Sequence, residues 1–357
     1  MKIAIAILIF LGLICSCKDH DSTEANQSVE SKPESVYTRT DCNAVYYWKT
    51  RFKLNQYESA FLQKNSVKRM YLRLFDVDLL FDPIKGGHEL VPVGTVVFDE
   101  KVPEGMEIVP VVFITVRAME SVHSQVGFSA FANMLVTRIM NMSDFNDLGA
   151  IHEVQLDCDW TERTKQPYYD LCREVRQLLS KNNSILSSTI RLHQLFQEHP
   201  PVDRGVLMLY NTGAVKSQCT SNSIVDVSDV RLYLKNKPIH YDLPLDFAYP
   251  TYGWGVWFRD GQFMGLLHHT DYGDATRYVR ESDGLLRVRS EHVLEGHLMK
   301  VGDRIRPENS PYKTIAAVQD CVEEVFAGQP HSNILYHLDS LNLCKFSEYE
   351  IHTLYLR

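Results

Sequence analysis

The stretch Ile151–Thr161, IHEVQLDCDWT, decides the fold and the candidate chemistry, because an apolar run ends there in two carboxylates, a tryptophan and a threonine. Successive side chains of a strand point to opposite faces, so Asp157 and Asp159 share one face and Cys158 lies on the other. The Cα atoms of the two acids would be roughly 6.5 to 7 Å apart. The pattern predicts a strand whose C-terminal end places two carboxylates on the same side. Capping of the next helix, or binding of loop backbone, is the alternative role for these acids.

Around this stretch the chain alternates strand-like and helix-like segments, a pattern typical of a parallel α/β fold. Apolar, β-branched and aromatic runs predict eight strands, which start at residues 44, 70, 108, 151, 186, 205, 245 and 334. Eight strands over this length match a (β/α)8 TIM barrel with insertions. A doubly wound open sheet is the alternative. No glycine-rich turn follows the first strand, so nothing in the sequence supports a nucleotide-binding fold.

The segments between these strands predict helices and two excursions. Helices are expected at 56–62, at 128–140, from Thr161 onward, and at 230–234, 315–326 and 348–356. Residues 79–106 predict an inserted hairpin or loop, and Asp260 with Gly261 marks the turn of a second hairpin. The stretch 282–310 has no clear period and predicts irregular structure.

The N-terminus has the layout of a bacterial export signal. Lys2 precedes the apolar run IAIAILIFLGLI, which is too short to span a bilayer. The run ends in ICSC, which resembles a lipobox in which Cys17, preceded by the small Ser16, is cleaved and lipidated. An ordinary secretory signal is the alternative. We expect a signal peptide at 1–16, the lipidated cysteine with a disordered polar tether at 17–41, and a barrel domain at 42–357.

Export of this kind places the chain in the bacterial cell envelope, where the lipid would hold it to a membrane, at the outer membrane or the cell surface. The export compartment is oxidising. An even number of cysteines remains beyond the signal, but their pairing does not follow from their spacing: Cys42, Cys158, Cys172, Cys219, Cys321 and Cys344. The net charge of −8 and the absence of a basic cluster argue against nucleic acid as a partner.

In a (β/α)8 barrel the active site lies at the C-terminal ends of the strands. Those ends are polar or aromatic in this chain, so we expect them to converge on one cavity. We expect Asp157, Asp159 and Tyr210 to carry the chemistry. The residues expected to bind a ligand at the same ends are Trp48, Arg73, Asp76, Trp160, Arg191, His193, Asn211, Tyr249, His337 and Asp339.

We expect neither a metal ion nor another cofactor. His268 and His269 are adjacent, and neighbouring strand residues point opposite ways, so the pair cannot easily ligate one ion. The sequence contains no GxSxG motif, and Cys158 lies opposite the acids, so nucleophilic serine or cysteine catalysis has no support. Flat tryptophan faces stack on sugar rings, but Trp257 lies inside an apolar hairpin and is expected to be core.

Two motifs resemble the chitinase-type glycoside hydrolases of family 18. LDCDWT at 156–161 is similar to the fourth-strand motif D-x-D-W-E, and VLMLYN at 206–211 is similar to the sixth-strand motif M-x-Y-D. The chain departs from that family at Thr161 and Asn211, where the family has its acid-donating glutamate and an aspartate, and at Val154, where it has an earlier aspartate.

A broader resemblance extends over nearly all of residues 44–357. The chain is similar to a group of bacterial envelope lipoproteins that are predicted to be glycosidase-like barrels. No reaction is known for that group. The segments that carry this resemblance are YYWKT, RLFDVD, VQLDCDWT, TIRLHQL, PPVDRGVLMLYNTG and YHLDSLNL. The resemblance implies both the barrel and the lipid anchor.

The leading hypothesis is a membrane-anchored barrel that acts on carbohydrate as a glycoside hydrolase. Asp157 and Asp159 would serve as acid/base or stabilising carboxylates, since two nearby carboxylates raise the pKa of one of them. Tyr210 would position the reacting group. An inactive barrel that binds glycan or peptidoglycan fragments is the alternative, and Thr161 and Asn211 favour it. A metal-dependent hydrolase would need clustered ligands that the sequence does not show.

Overall fold

The structure, a computed structural model, describes residues 38–235, 239, 241–268 and 271–356. The predicted signal peptide, Cys17 and most of the predicted tether lie outside the described residues. Within the described ranges, no helix is long and apolar enough to cross a membrane. The six cysteines of these ranges are all free thiols.

Eight parallel strands form a closed barrel, which confirms the predicted (β/α)8 fold. Strands β1 to β8 are Ala44–Tyr47, Arg69–Asp82, Glu107–Ile114, Glu153–Asp157, Ile185–Arg191, Arg204–Met208, Leu245–Pro250 and Asn333–Tyr336. Each strand pairs with its neighbours in chain order, and β1 closes the barrel by pairing in parallel with both β2 and β8. Each predicted strand start agrees with the observed one to within two residues.

Helices follow most of the strands and cover the outside of the barrel. In chain order, α1 to α8 are Gln56–Lys64, Val116–Gln125, Phe128–Phe145, Lys165–Ser180, Val227–Leu234, Tyr312–Phe326, Ser340–Leu343 and Glu348–Leu356, and a 3₁₀ turn covers Leu192–Phe196. Helix α2 was not predicted. Helix α4 begins at Lys165 rather than at Thr161, because the Thr161 amide donates to the Thr164 hydroxyl at 2.8 Å and residues 161–164 form a separate turn.

Two excursions interrupt the regular alternation. The long β2 continues into an antiparallel hairpin with Gly87–Val93, as predicted for residues 79–106, and Val97–Phe98 pairs with Arg51–Phe52. Between β7 and α6, an antiparallel sheet contains Trp254–Arg259, Gln262–Leu267, Tyr278–Arg280, Leu286–Val288 and Arg304–Glu308, and His292–Leu294 pairs with His297–Met299.

We name the segment 254–308 the insertion. Its strands show that the prediction of irregular structure for 282–310 was wrong. The sequence carries no signal for them, because strands of three to five residues are too short to show a period of two. The hairpin predicted around Asp260 and Gly261 is confirmed, with both turn residues at positive φ.

Alternation along the barrel strands divides the core into two layers. In β1, Val45 and Tyr47 pack outward against helices, whereas Ala44 and Tyr46 belong to a separate cluster inside the barrel. The inner face of β4 is polar along its length and carries Glu153, Gln155 and Asp157, all buried. The barrel interior therefore contains polar side chains that cannot reach water and need partners within the protein.

The base of the barrel is closed by Arg39, which lies just before β1. Its Nε donates to Glu153 Oε2 at 2.8 Å, and its Nη2 donates to Asp246 Oδ2 at 2.5 Å and to the Tyr71 hydroxyl at 3.0 Å. The Glu153 and Asp246 side chains are 0% exposed and that of Arg39 is 8% exposed. One arginine thus bridges two buried carboxylates. Ordered contacts with the barrel begin at least three residues before the predicted domain boundary at Cys42.

Replacing Arg39 by methionine is expected to destabilise the barrel strongly. The substitution leaves Glu153 and Asp246 buried without their shared cation, a situation that costs about 3–5 kcal/mol. Urea unfolding of the purified protein measures the change. The matched control is Arg117→Met, because Arg117 is 66% exposed and pairs with Asp78 at the surface, so its loss should cost less than about 1 kcal/mol. Equal losses for the two variants would contradict the assigned role of Arg39.

Candidate functional site at the barrel rim

Two adjoining cavities open at the C-terminal ends of the barrel strands. The larger has a volume of about 560 Å³ and the smaller about 310 Å³. Tyr210 and Asn211, directly after β6, line both cavities, so the two form one cleft. Asn211 has a positive φ of 55°, and its Oδ1 accepts a hydrogen bond from the Tyr252 hydroxyl at 2.9 Å. The cleft lies where a TIM barrel places its active site.

Aromatic rings form a continuous wall of the larger cavity. The Tyr336 ring, at the end of β8, lies 4.9 Å from the Tyr210 ring and 5.7 Å from the Trp48 ring, between centroids. Tyr252 extends the wall, since its ring lies 5.6 Å from that of Tyr336 and 5.3 Å from that of Trp254. Such surfaces offer apolar faces with polar edges.

Asp157 lies inside the barrel, beneath this cleft. Its side chain is almost fully buried, and its Oδ1 accepts a hydrogen bond from the Thr189 hydroxyl at 2.6 Å. Burial raises the pKa of Asp157 to about 6; the positive charge of Arg191 opposes the rise, and the negative charge of Asp159 adds to it. Asp157 lines neither cavity, so it lies beneath the cleft rather than on its wall.

Asp159 lines the smaller cavity and forms an ion pair with Arg191 at the end of β5. Arg191 Nε donates to Asp159 Oδ1 at 2.6 Å. The Asp159 side chain is 51% exposed and that of Arg191 is 19% exposed. The two acids of the sequence motif therefore have different environments. One is buried with a neutral hydroxyl partner, and the other is half-exposed beside an arginine.

A second group of ionisable side chains lies at the far end of the larger cavity. Lys49 Nζ donates to the buried Glu58 at 2.5 Å and lies 3.9 Å from Asp339. Burial lowers the pKa of His337, which lines the same cavity, so its imidazole is neutral at pH 7. Among the described residues, no three His, Cys, Asp or Glu side chains are grouped as metal ligands.

The structure brings most of the predicted site residues together. Those that line the cleft are Trp48, Asp159, Trp160, Arg191, His193, Tyr210, Asn211, His337 and Asp339. Arg73 and Asp76 form an ion pair at the cleft edge without lining either cavity, with Arg73 Nε 2.6 Å from Asp76 Oδ1. The guanidinium of Arg73 lies 5.6 Å from the ring centre of Trp48.

Tyr249 is a correction to the predicted site. Its side chain is buried in the outer layer, where it contacts Gln319 of α6, and it lines neither cavity. The physical reason is strand alternation, because Ala248 occupies the inward position of β7 and the next residue must point outward.

The predicted site left out several residues that line the larger cavity, including Tyr252, Trp254, His268, Asp271 and Tyr336. Tyr336 is the last residue of β8, so the same rule that selected the other strand ends could have found it. Tyr252 and Trp254 lie where the chain leaves β7. His268 and Asp271 belong to the insertion, and nothing in their spacing indicates that they reach the rim.

The pKa of Asp157 predicts a specific dependence of stability on pH. Its value of about 6 in the folded state exceeds the unfolded value of about 3.9, so the folded state gains stability from the protonated form and loses it as the pH rises from about 4 to 6. Asp157→Asn removes this loss. We expect the stability of Asp157→Asn, measured as its difference from wild type, to be about 2 kcal/mol greater at pH 8 than at pH 4.

Thermal or urea unfolding at pH 4, 6 and 8 measures this difference. Asp147→Asn is the control, because it replaces a carboxylate that is 68% exposed and paired with Lys101 at the surface. We expect no relative gain for the control between pH 4 and pH 8. A wild-type to Asp157→Asn difference that stays constant with pH would show that Asp157 titrates normally.

No protein-family model and no curated protein matches this sequence. Solved structures with a similar fold do match. The chitinase from Chromobacterium violaceum superposes with a TM-score of 0.51 at 9% identity, over 88% of this chain and 98% of that one. The C-terminal domain of a putative chitinase from Desulfitobacterium hafniense gives 0.50 at 11% identity, over 89% and 100%.

A third match is a mutant of the second catalytic domain of the group II chitinase from Ostrinia furnacalis, solved in complex with a chitooligosaccharide. It superposes with a TM-score of 0.50 at 12% identity, over 88% of this chain and 95% of that one. Identities this low establish a shared fold. The chain therefore has the architecture of the chitinase-type (β/α)8 barrels, with its cleft at the carboxyl ends of the strands.

Proposed function

We propose that the rim cleft binds a carbohydrate chain. The observation that carries the proposal is the aromatic wall, in which Trp48, Tyr252 and Tyr336 line a cavity that also contains charged and amide side chains. Sugar rings present C–H faces that pack on aromatic rings and hydroxyl groups that need hydrogen-bond partners. The complex of the Ostrinia furnacalis domain with a chitooligosaccharide supports this class of ligand.

Hydrolysis of that carbohydrate is the second candidate function, and the split environments of Asp157 and Asp159 favour it. A pair of carboxyl groups whose surroundings separate their pKa values can divide the roles of acid and base. Asp157 is half-protonated near pH 6 and would supply the proton. Asp159, half-exposed beside Arg191, would stabilise positive charge on the sugar, and Tyr210 would position the reacting group.

Binding has the more direct support of the two. Thr161 carries a hydroxyl where the chitinase-type motif has its acid-donating glutamate, and it lies in the turn before α4. Asp157 is 4% exposed, so a substrate would reach its proton only after the side chains above it had moved. A catalytically inactive glycan-binding barrel requires no such movement.

A panel of purified glycans, including chitooligosaccharides and peptidoglycan fragments, tests both functions in one experiment. We expect at least one glycan to bind, and Trp48→Ala to weaken that binding roughly three- to tenfold because a stacking face is lost. Trp257→Phe is the matched control, since Trp257 lies in the core of the insertion, and it should leave the affinity unchanged. Absence of binding across the panel would contradict the proposal.

Sugar release in the same samples separates the enzyme from the binder. For an enzyme we expect release that is lost in both Asp157→Asn and Asp159→Asn. Undiminished release in these variants would remove the pair from the mechanism. Binding without release would favour the inactive barrel.

We further propose that the barrel is held to a bacterial membrane by a lipid on Cys17. The sequence ICSC after the apolar leader supports this modification. The polar segment that follows would act as a tether to Arg39 at the barrel base. The lipid would place the protein in the cell envelope, at the outer membrane or the cell surface.

Substitution of Cys17 tests the anchor. In cells supplied with labelled palmitate, we expect the wild-type protein to incorporate label and to sediment with membranes, and Cys17→Ser to do neither. Cys15→Ser is the matched control, because it removes the neighbouring thiol and should preserve both properties. Labelling that persists in Cys17→Ser would contradict the assignment.

A further inference from the structure

Four donor groups on the walls of the smaller cavity lack an acceptor. Each of these atoms is buried and has no hydrogen-bond partner in the part of the chain that the structure describes: Trp160 Nε1, Arg191 Nη1, Gln194 Nε2 and the Tyr210 hydroxyl. All four residues line this cavity. Folded proteins pair nearly all of their buried polar groups, so four such groups around one cavity indicate acceptors that come from outside the chain.

The surroundings of these four groups show that each can donate a hydrogen bond. Gln194 Oε1 accepts from the backbone amide of Arg191 at 2.8 Å, so the amide nitrogen of Gln194 is the end that has no partner. Burial raises the pKa of Tyr210 well above its usual value, so its hydroxyl keeps its proton. Indole and guanidinium nitrogens only donate.

The number of donors indicates which kind of group fits. A carboxylate has two oxygens with about four acceptor sites and brings no donor of its own, whereas a single amide carbonyl accepts about two hydrogen bonds. A sugar hydroxyl would bring a donor of its own, which a site lined by four unpartnered donors does not need. A carboxylate therefore matches the walls better than a neutral substituent does.

The positive charge for such a group comes from Arg191. Its partner Asp159 is 51% exposed, so water screens that carboxylate, while the Arg191 side chain is 19% exposed. An arginine that serves two carboxylates already occurs in this molecule, since Arg39 bridges Glu153 and Asp246 at the base. Arg191 can bridge Asp159 and a ligand carboxylate in the same way.

We propose that the smaller cavity is a subsite for the carboxylate of an acidic sugar. The proposal rests on the proposed carbohydrate-binding function and names its ligand class. The carboxylate has two possible sources, a uronic acid or the lactyl ether of a muramic acid. The larger cavity, with its aromatic wall, would hold the adjoining sugar.

Paired ligands test the subsite by calorimetry on the purified full chain. The probes are an oligosaccharide of N-acetylglucosamine and glucuronic acid, and a disaccharide that contains N-acetylmuramic acid, each compared with the same compound after reduction of its carboxylate to an alcohol. We expect one carboxylate form to bind about tenfold or more tightly than its reduced form. The form that does so identifies the source of the carboxylate.

Variants assign the preference to Arg191. We expect Arg191→Gln to bring the two affinities to within about twofold, while binding of the reduced glycan persists, and Arg191→Lys to keep part of the preference. Arg117→Gln is the matched control and should keep the full preference, because Arg117 pairs with Asp78 outside the cavity. If Arg191→Gln fails to fold, Tyr210→Phe removes one donor and should reduce the preference several-fold.

The outcomes separate this proposal from the carbohydrate-binding proposal. Equal wild-type affinity for the carboxylate and reduced forms overturns the subsite and leaves carbohydrate binding in place. A preference that survives in Arg191→Gln overturns the assignment to Arg191. If none of these compounds binds, and a neutral chitooligosaccharide does not bind either, both proposals are overturned.

Discussion

An inward-facing polar side chain in a closed barrel cannot reach water, and this constraint determines the chemistry along β4. Three such side chains lie on its inner face. Glu153, at the base, has the cation of Arg39 as its partner. Asp157, at the rim, has the neutral hydroxyl of Thr189. Because a buried carboxyl without its own cation favours the protonated form, the closure of the barrel itself produces the group that titrates near pH 6.

The two arginines at opposite ends of the barrel have different surroundings. Arg39 is enclosed and bridges two carboxylates, so its role is to hold the base together. Arg191 holds one half-exposed carboxylate and keeps a nitrogen for which the described residues supply no acceptor. Both arginines therefore keep one buried nitrogen without a partner among the described residues, but Arg191 lines a cavity that could admit a ligand. This difference supports a binding role for the rim even where Thr161 weakens the case for hydrolysis.

The barrel and most of its rim could be predicted from the sequence because both follow from local rules. The parity of strand residues placed Asp157 and Asp159 on one face, and strand ends indicated most of the cleft. Tyr249 was placed in the site wrongly, because the same alternation of side chains was not applied to it. Contacts between distant segments had no sequence signal. The Arg191 to Asp159 pair joins residues 32 positions apart, and the role of Arg39 was hidden in a segment that reads as a polar tether.

The insertion between β7 and α6 lines the cleft but takes no part in the strand pairings that close the barrel. It contributes Trp254, His268 and Asp271 to the cleft, while the pairings that close the barrel lie in other parts of the chain. If the cleft binds a glycan as proposed, mutations in this segment would change which glycan is recognised without disturbing the β1 to β8 seam. The proposed function thus gives the insertion the properties of an exchangeable module. Related barrels could acquire new specificities by exchanging it, while the fold and its buried charges are inherited intact.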